Sequence, residues 1–303
     1  MSSGKTNSTV FFGSGPVAAR SLELLLAHTP VEAVITKPRP PHHRGAVPVL
    51  EVAEAHNLPI FTAANKAELN ELFQTHHFAS TYAILIDFGI IVSQQVIDTF
   101  PLGIINSHFS LLPHLRGADP ITWSIANGDE KTGVSLMLVD QGLDTGKLIT
   151  YRTRRLTRHE TTPELTEQLI NLSDTLLQEF VPQYIAGDVA PRNQPHPDRA
   201  TYSRKLTKDD GVIDWNQPAK VIEQKIRAFI EWPQSRTKLA DLDIIITAAH
   251  VTDFHGTPGD FLIANGELLF CANDTALSID RLKPAGKKEM PIQAFLAGYR
   301  TKL

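Results

Sequence analysis

The sequence predicts an α/β protein: a doubly wound, mostly parallel sheet followed by a smaller domain of short strands. Three observations predict it. Short apolar runs bounded by glycine alternate with stretches of helical periodicity through residues 1–188. A polar stretch with three prolines, A-P-R-N-Q-P-H-P-D-R-A at 190–200, breaks that alternation. Beyond it, short strands recur at close spacing with glycine and turn residues between them, the pattern of a small β-barrel.

Residues 9–12 read as the first strand, and G-S-G-P turns the chain into a helix over 17–27. Strand, glycine turn and helix open a Rossmann-like fold. Gly13 and Gly15 form G-x-G, but no later glycine completes G-x-G-x-x-G. The second strand, 31–35, has no acidic residue at its end to hold a ribose, so no dinucleotide site is expected. Close packing of the turn against the helix, or approach to a group bound over the sheet, would explain the glycines. A helix over 48–56, a strand over 58–61, a helix over 68–75 and a strand over 82–86 follow. That strand runs into Asp87, Phe88, Gly89, Ile90 and Ile91, then a short helix over 93–97 with Ser93 as its N-cap. Apolar runs at 102–106 and 133–139 read as buried strands, with a helix over 121–126 and a turn at 127–129 between them. A strand over 148–154 and a long amphipathic helix over 162–184 complete a first domain, 1–188. The linker is assigned to 189–204 and the second domain to 205–303, with a helix over 218–229 and strands at 243–249, 259–264, 267–271 and 277–282.

Composition narrows the function. A chain of 303 residues with 42% hydrophobic and 20% charged residues is that of an ordinary soluble protein of two domains. The single cysteine, Cys271, excludes an intrachain disulfide framework and suits a reducing, cytoplasmic setting. No apolar stretch approaches the ~20 residues that span a bilayer, and the start has no signal core, so no membrane partner is expected. A net charge of −4 argues against a general coat of positive charge. A polyanion would have to meet local patches: Lys37, Arg39 and Arg44; Arg152, Arg154, Arg155 and Arg158; or Arg281, Lys283, Lys287, Lys288, Arg300 and Lys302. The pairs His42-His43 and His76-His77 lack the spaced carboxylates or cysteines of a metal site, so no metal is expected.

The chemistry concentrates in N-S-H-F-S-L-L-P at 106–113 and D-Q-G-L-D-T-G at 140–146. Asn106 and His108 are two apart, which puts both on one face of a strand. They stand at its carboxyl end, where open α/β sheets bind ligands. The strand over 133–139 is expected to deliver Asp140 and Asp144 to the same edge. An amide can hold an oxyanion, an imidazole moves protons near neutral pH, and a carboxylate can fix the imidazole's tautomer. Together these suit transfer of a one-carbon acyl group. The plain alternative makes Asn106 a strand-end turn residue and His108 a satisfied core histidine.

N-S-H-F-S-L-L-P-H-L-R-G-A-D-P-I, G-D-E-K-T-G-V-S-L-M and D-Q-G-L-D-T-G resemble the folate-dependent formyltransferases. V-I-D-W at 212–215, I-R-A-F-I-E-W-P at 226–233 and L-K-P-A-G-K-K-E-M at 282–290 resemble the carboxy-terminal domain of the members that act on aminoacylated tRNA. The similarity runs from about residue 10 to about 296. It implies transfer of a formyl group from 10-formyltetrahydrofolate to the α-amino group of methionyl-initiator tRNA, without a metal. Asn106, His108 and Asp144 would be catalytic. The folate would lie against Phe88, Gly89, Ile90, Ile91, Ser110, Leu111, Leu112, Pro113 and Asp140. The second domain would be an OB-like β-barrel, with tRNA contacts at Arg39, Arg44, Lys287 and Lys288, and the protein a monomer. The chain departs from the family where Asp87-Phe88-Gly89 replaces A-Y-G, Ser93 replaces a proline, Phe109 a small residue and Asp119 an alanine. The basic loop after the second strand is also shorter. Formylation of another amine, hydrolysis of the formyl donor, and a retired scaffold that only binds RNA are the competing readings.

Overall fold

A computed structural model describes residues 8–40, 45 and 47–299. In chain order the elements are β1 (Thr9–Phe12), α1 (Pro16–Leu25), β2 (Val31–Thr36), α2 (Pro48–Ala55), β3 (Ile60–Thr62), α3 (Lys66–Thr75), β4 (Ala83–Leu85), α4 (Gln94–Ile97), β5 (Ile104–His108) and β6 (Arg116–Gly117). Then come α5 (Pro120–Ala126), β7 (Lys131–Leu138), β8 (Leu148–Arg155), α6 (Thr162–Ala186), β9 (Tyr202–Ser203), α7 (Ala219–Ala228), β10 (Ser235–Leu239) and β11 (Leu242–Thr252). The chain ends with β12 (Phe261–Ala264), β13 (Glu267–Cys271), β14 (Ala276–Pro284), β15 (Met290–Pro291) and α8 (Ile292–Tyr299).

Two compact units emerge. The first is Met1–Gly117, Gly133–Arg154 and Thr166–Tyr202; the second is Ala118–Thr132, Arg155–Leu165 and Ser203–Leu303. The first holds a seven-stranded sheet in the order β3-β2-β1-β4-β5-β7-β8. Strands β1 to β5 pair in parallel, and β5 meets β7 antiparallel. This is the doubly wound, mostly parallel arrangement, its switch point lying between β1 and β4. Phe12 packs edge-on to Phe88 and Phe100 over the sheet, among Val10, Ile35 and Ile104.

Glycine at the β1–α1 turn answers to packing. A Cβ on Gly13 would come within 2.6 Å of the Ala18 methyl, and one on Gly15 within 1.9 Å of an Asp87 carboxylate oxygen. Pro16 takes the first helical position, where a missing N–H costs nothing. Ser93 caps α4, accepting from the Val96 N–H at 3.3 Å. Strand β5 runs two residues later than 102–106 suggests, which places Asn106 and His108 inside it. Ser107 faces away between them and meets Ser173 of α6 at 2.6 Å.

The second unit carries an antiparallel sheet in the order β10-β11-β14-β13-β12, with β15 on β14. Register shifts near Ala248 bend the long β11. Ile222 and Ile226 of α7 pack on Ile244, Ile246, Phe270, Leu282 and Phe295. Trp215 stacks on Phe270 at 4.6 Å and donates its indole N–H to Thr237. Strands β10 and β15 and helix α8 are not evident from the sequence. S-R-T-K-L in β10 carries two charges in five residues and becomes a strand by pairing antiparallel with β11.

Helix α5 belongs to this second unit. Its Trp123 donates to the Arg204 carbonyl at 2.7 Å and lies edge-on to Phe229. The Arg204 guanidinium stands over the Trp123 ring at 5.1 Å and grips Asp210 with both terminal nitrogens. Asp210 also closes a capping box with Thr207. Arg204 holds the Asp210 carboxyl well below the usual carboxylate range. A carboxyl depressed in the folded state stabilises above its unfolded value near 4, and that contribution fades as pH falls through the folded one. Asp210→Asn should therefore lower the urea midpoint at pH 7, and the gap from wild type should narrow at pH 3.

Candidate active site

Asn106 and His108 are 8% and 6% exposed at the end of β5. Asp144 reaches them from the loop after β7. Because β7 is antiparallel to β5, with Met137 opposite Asn106 and Leu138 opposite Ile105, it ends beside the start of β5. The loop therefore does not simply extend the carboxyl edge of the parallel strands; it doubles back. The Leu138 N–H bonds to the Lys147 carbonyl at 2.9 Å. A Cβ on Gly146 would sit 1.7 Å from the Leu138 carbonyl oxygen, so only glycine permits this return. Asp140 shapes the loop: its Oδ1 accepts from the Gly142 N–H at 3.0 Å and the Thr145 hydroxyl at 2.7 Å.

The three groups converge. The Asn106 Nδ2 donates to Asp144 Oδ1 at 3.5 Å, and His108 Nδ1 lies 3.7 Å from Asp144 Oδ2. Asp144 Oδ2 accepts the Gly117 N–H at 2.7 Å. His108 Nε2 meets the Leu115 carbonyl at 2.9 Å. A carbonyl only accepts, so Nε2 carries hydrogen and Nδ1 faces the carboxylate. Leu115 and Asp144 both have left-handed backbone, φ 55° and 51°. Such conformations cost about 1–3 kcal/mol each and collect at functional sites. Here they aim a carbonyl and a carboxylate at opposite edges of one imidazole.

The turn after β5 is built as firmly. The Ser135 hydroxyl donates to the Ser110 carbonyl at 2.7 Å and accepts the Leu112 N–H at 3.1 Å. Ser110 donates to the His114 carbonyl, and Leu112–Pro113 is a cis peptide. Leu112 is buried with Met137 and Leu148, while Leu111 is half-buried. Phe88 lies in the aromatic core, 1% exposed. Its carbonyl accepts from Ser14. Gly89 has φ 65° beside the Lys37 side chain. Ile90 is half-buried and Ile91 is 74% exposed, which leaves an apolar ledge at the end of β4.

Other predicted positions lie elsewhere. Arg39 is exposed and donates to the Gly45 carbonyl; Arg44, Arg300, Lys302 and the pair His42-His43 fall outside the described residues. Lys287 and Lys288 are exposed between β14 and β15, and the neighbouring Glu289 is occupied by Arg281 and Thr247. Arg152 and Arg158 pair with Glu179 and Glu130. Among the described residues, no three metal-binding side chains come together and no helix is long and apolar enough to cross a membrane. Sequence reasoning missed Gly117, the Leu115 carbonyl and Gln194. The first two act through main chain, which leaves no compositional trace, and Gln194 lies in the stretch read as a linker. Ser135→Ala should leave the buried Leu112 N–H unsatisfied and cost about 1–3 kcal/mol in chemical unfolding.

Residues 9–181 match the family model described as formyl transferase, and residues 205–300 match that of the formyl transferase C-terminal domain. The methionyl-tRNA formyltransferase of Pelobacter propionicus is 34% identical over 97% of this chain and 93% of its own. That of Koribacter versatilis is 36% identical over 96% and 95%. Among solved structures, WlaRD, a sugar 3N-formyl transferase crystallised in the presence of dTDP and 5-N-formyl-THF, superposes with a TM-score of 0.68 at 19% identity, covering 94% of this chain and 100% of that one. The N-formyltransferase from Helicobacter canadensis gives 0.69 at 19% identity, covering 94% and 99%. These two share the fold.

Proposed function

The chain belongs to the formyl transferase family, and we propose that it moves a formyl group from 10-formyltetrahydrofolate to the α-amino group of methionine esterified to initiator tRNA. The observation that carries this reading is the meeting of Asn106, His108 and Asp144, in a chain that aligns nearly end to end with relatives named for that reaction. The apolar ledge at Ile90 and Ile91, with half-buried Leu111 and Val139 and the exposed Gly89, fits a flat heterocycle that needs an apolar slot beside backbone partners.

The co-substrate, when bound, supplies an electrophilic carbonyl carbon. An α-amino group has a pKa of roughly 8, so a neutral nucleophile is available near neutral pH. The Asn106 Nδ2 donates to the oxygen that gathers charge as the amine attacks. Its contact with Asp144 Oδ1 is long, so the amide can turn to a better acceptor at little cost. His108 Nδ1 is the ring atom that would take a proton from the attacking amine and give it to the folate nitrogen that leaves as its bond to the formyl carbon breaks, because Nε2 is committed to the Leu115 carbonyl. Asp144, held by the Gly117 N–H, keeps the ring in place and balances its charge once protonated. Lys287, Lys288 and Arg39 would meet tRNA phosphates. Cys271, buried in β13 with its thiol pKa pushed up by burial, fits a reducing cytoplasm.

Asn106→Ala, His108→Ala and Asp144→Ala should each fold and lose about 100- to 1000-fold in kcat with the KM for the formyl donor little changed. Steady-state formylation of methionyl-tRNA, run beside elongator tRNA and without tRNA, checks this; rates within a few-fold of wild type would exclude the assignment. Binding of tRNA should weaken steeply with salt. Replacing Lys287 or Lys288 by alanine should reduce the slope of log affinity against log salt by about 1 each, and an unchanged slope would remove them from the interface.

A further inference from the structure

Gln194 lies in a proline-bearing polar stretch, yet it is only 6% exposed. Its Nε2 donates to the Asp144 carbonyl at 2.7 Å and to the Gly146 carbonyl at 3.0 Å. Its Oε1 accepts from Arg116 Nη2 at 2.7 Å and Nε at 3.3 Å. The orientation is dictated by chemistry. A guanidinium only donates and a carbonyl only accepts, so the side chain between them must present an acceptor on one side and two donor hydrogens on the other. A carboxamide does this and a carboxylate does not.

Arg116 directly precedes Gly117, whose N–H holds the Asp144 carboxylate. One amide thus joins the main chain of Asp144 to the strand that grips its side chain. The segment carrying Gln194 is itself anchored, since Arg192 and Leu148 exchange both main-chain hydrogen bonds at 2.8 and 2.7 Å. The loop that doubles back from β7 carries a left-handed, non-glycine residue at its critical position. Such a loop needs restraint from outside.

We propose that Gln194 is a positioning residue for formyl transfer: it fixes Asp144 relative to His108 and Asn106 and touches no reacting atom itself. The proposal rests on the formyl-transfer reading of the site. Two variants test it. Gln194→Glu turns an oxygen toward two carbonyls, and Gln194→Met keeps the length while removing the polar head without adding charge. The second carries the test if a buried carboxylate prevents folding.

Formylation of methionyl-tRNA should lose about 10- to 100-fold in kcat in either variant, with the KM for the formyl donor within about twofold. Amide hydrogen exchange read by mass spectrometry should quicken in peptides covering 140–147 while the rest of the sheet keeps its protection. In an Asp144→Asn background the further loss should shrink below about twofold, because a residue that acts through Asp144 has nothing left to position. A merely structural role would cost the same in both backgrounds. An equal loss in both, or kcat within twofold of wild type with unchanged exchange, overturns the proposal. If the wild-type protein forms no formylmethionyl-tRNA, the functional reading fails instead. The exchange experiment then decides alone: unchanged protection of 140–147 in Gln194→Met overturns the role assigned to Gln194, and faster exchange sustains its hold on the loop.

Discussion

The hydrogen bond from the Gly117 N–H to Asp144 Oδ2 is the constraint on which the site depends. Asp144 arrives on a loop that leaves β7 near the wrong end of β5 and turns back, and its backbone is left-handed. Without a fixed acceptor position the carboxylate would have no defined distance to the imidazole. With it, Asn106 and His108 meet one carboxylate through different oxygens. The cost of the strained backbone at Leu115 and Asp144 is met by burial and by main-chain bonds around them. The site is thus assembled as much from carbonyls and N–H groups as from the side chains that would perform the chemistry.

Much of this was legible in the sequence, and the reasons are particular. Asn106 and His108 announce themselves because a two-residue spacing on a strand fixes a common face whatever the neighbours do. The doubly wound sheet follows from apolar runs alternating with helical stretches. The direction of β7 was not legible, since a buried parallel strand and a buried antiparallel one share the same composition. The part Asp140 plays in its own loop was not legible either: its Oδ1 takes the Gly142 N–H and the Thr145 hydroxyl, a contact set by how the loop folds. Phe88 sits in a functional-looking stretch, but its ring is needed by the aromatic cluster around Phe12. Gln194 gave no local signal at all: three prolines within eleven residues describe an extended backbone and say nothing about where one amide points.

The charge pattern follows a related logic. Arg152 and Arg158 look like a basic patch in one dimension, but each finds a glutamate in three. The group near the carboxyl end behaves differently, because Arg281 and Thr247 occupy Glu289 and leave Lys287 and Lys288 exposed beside it. Net charge therefore understates what a local surface offers a polyanion.

Helix α5 and residues 155–165 precede the polar stretch at 190–200 in the chain yet pack in the second unit, where Trp123 leans on Phe229 and Thr162 donates to the Ala228 carbonyl. The polypeptide is therefore laced rather than strung. Severing it anywhere in 189–204 would strand α5 without α7 and bare an aromatic face to water. Neither half can be lifted out as a cassette or swapped onto a relative without carrying its partner's threads along.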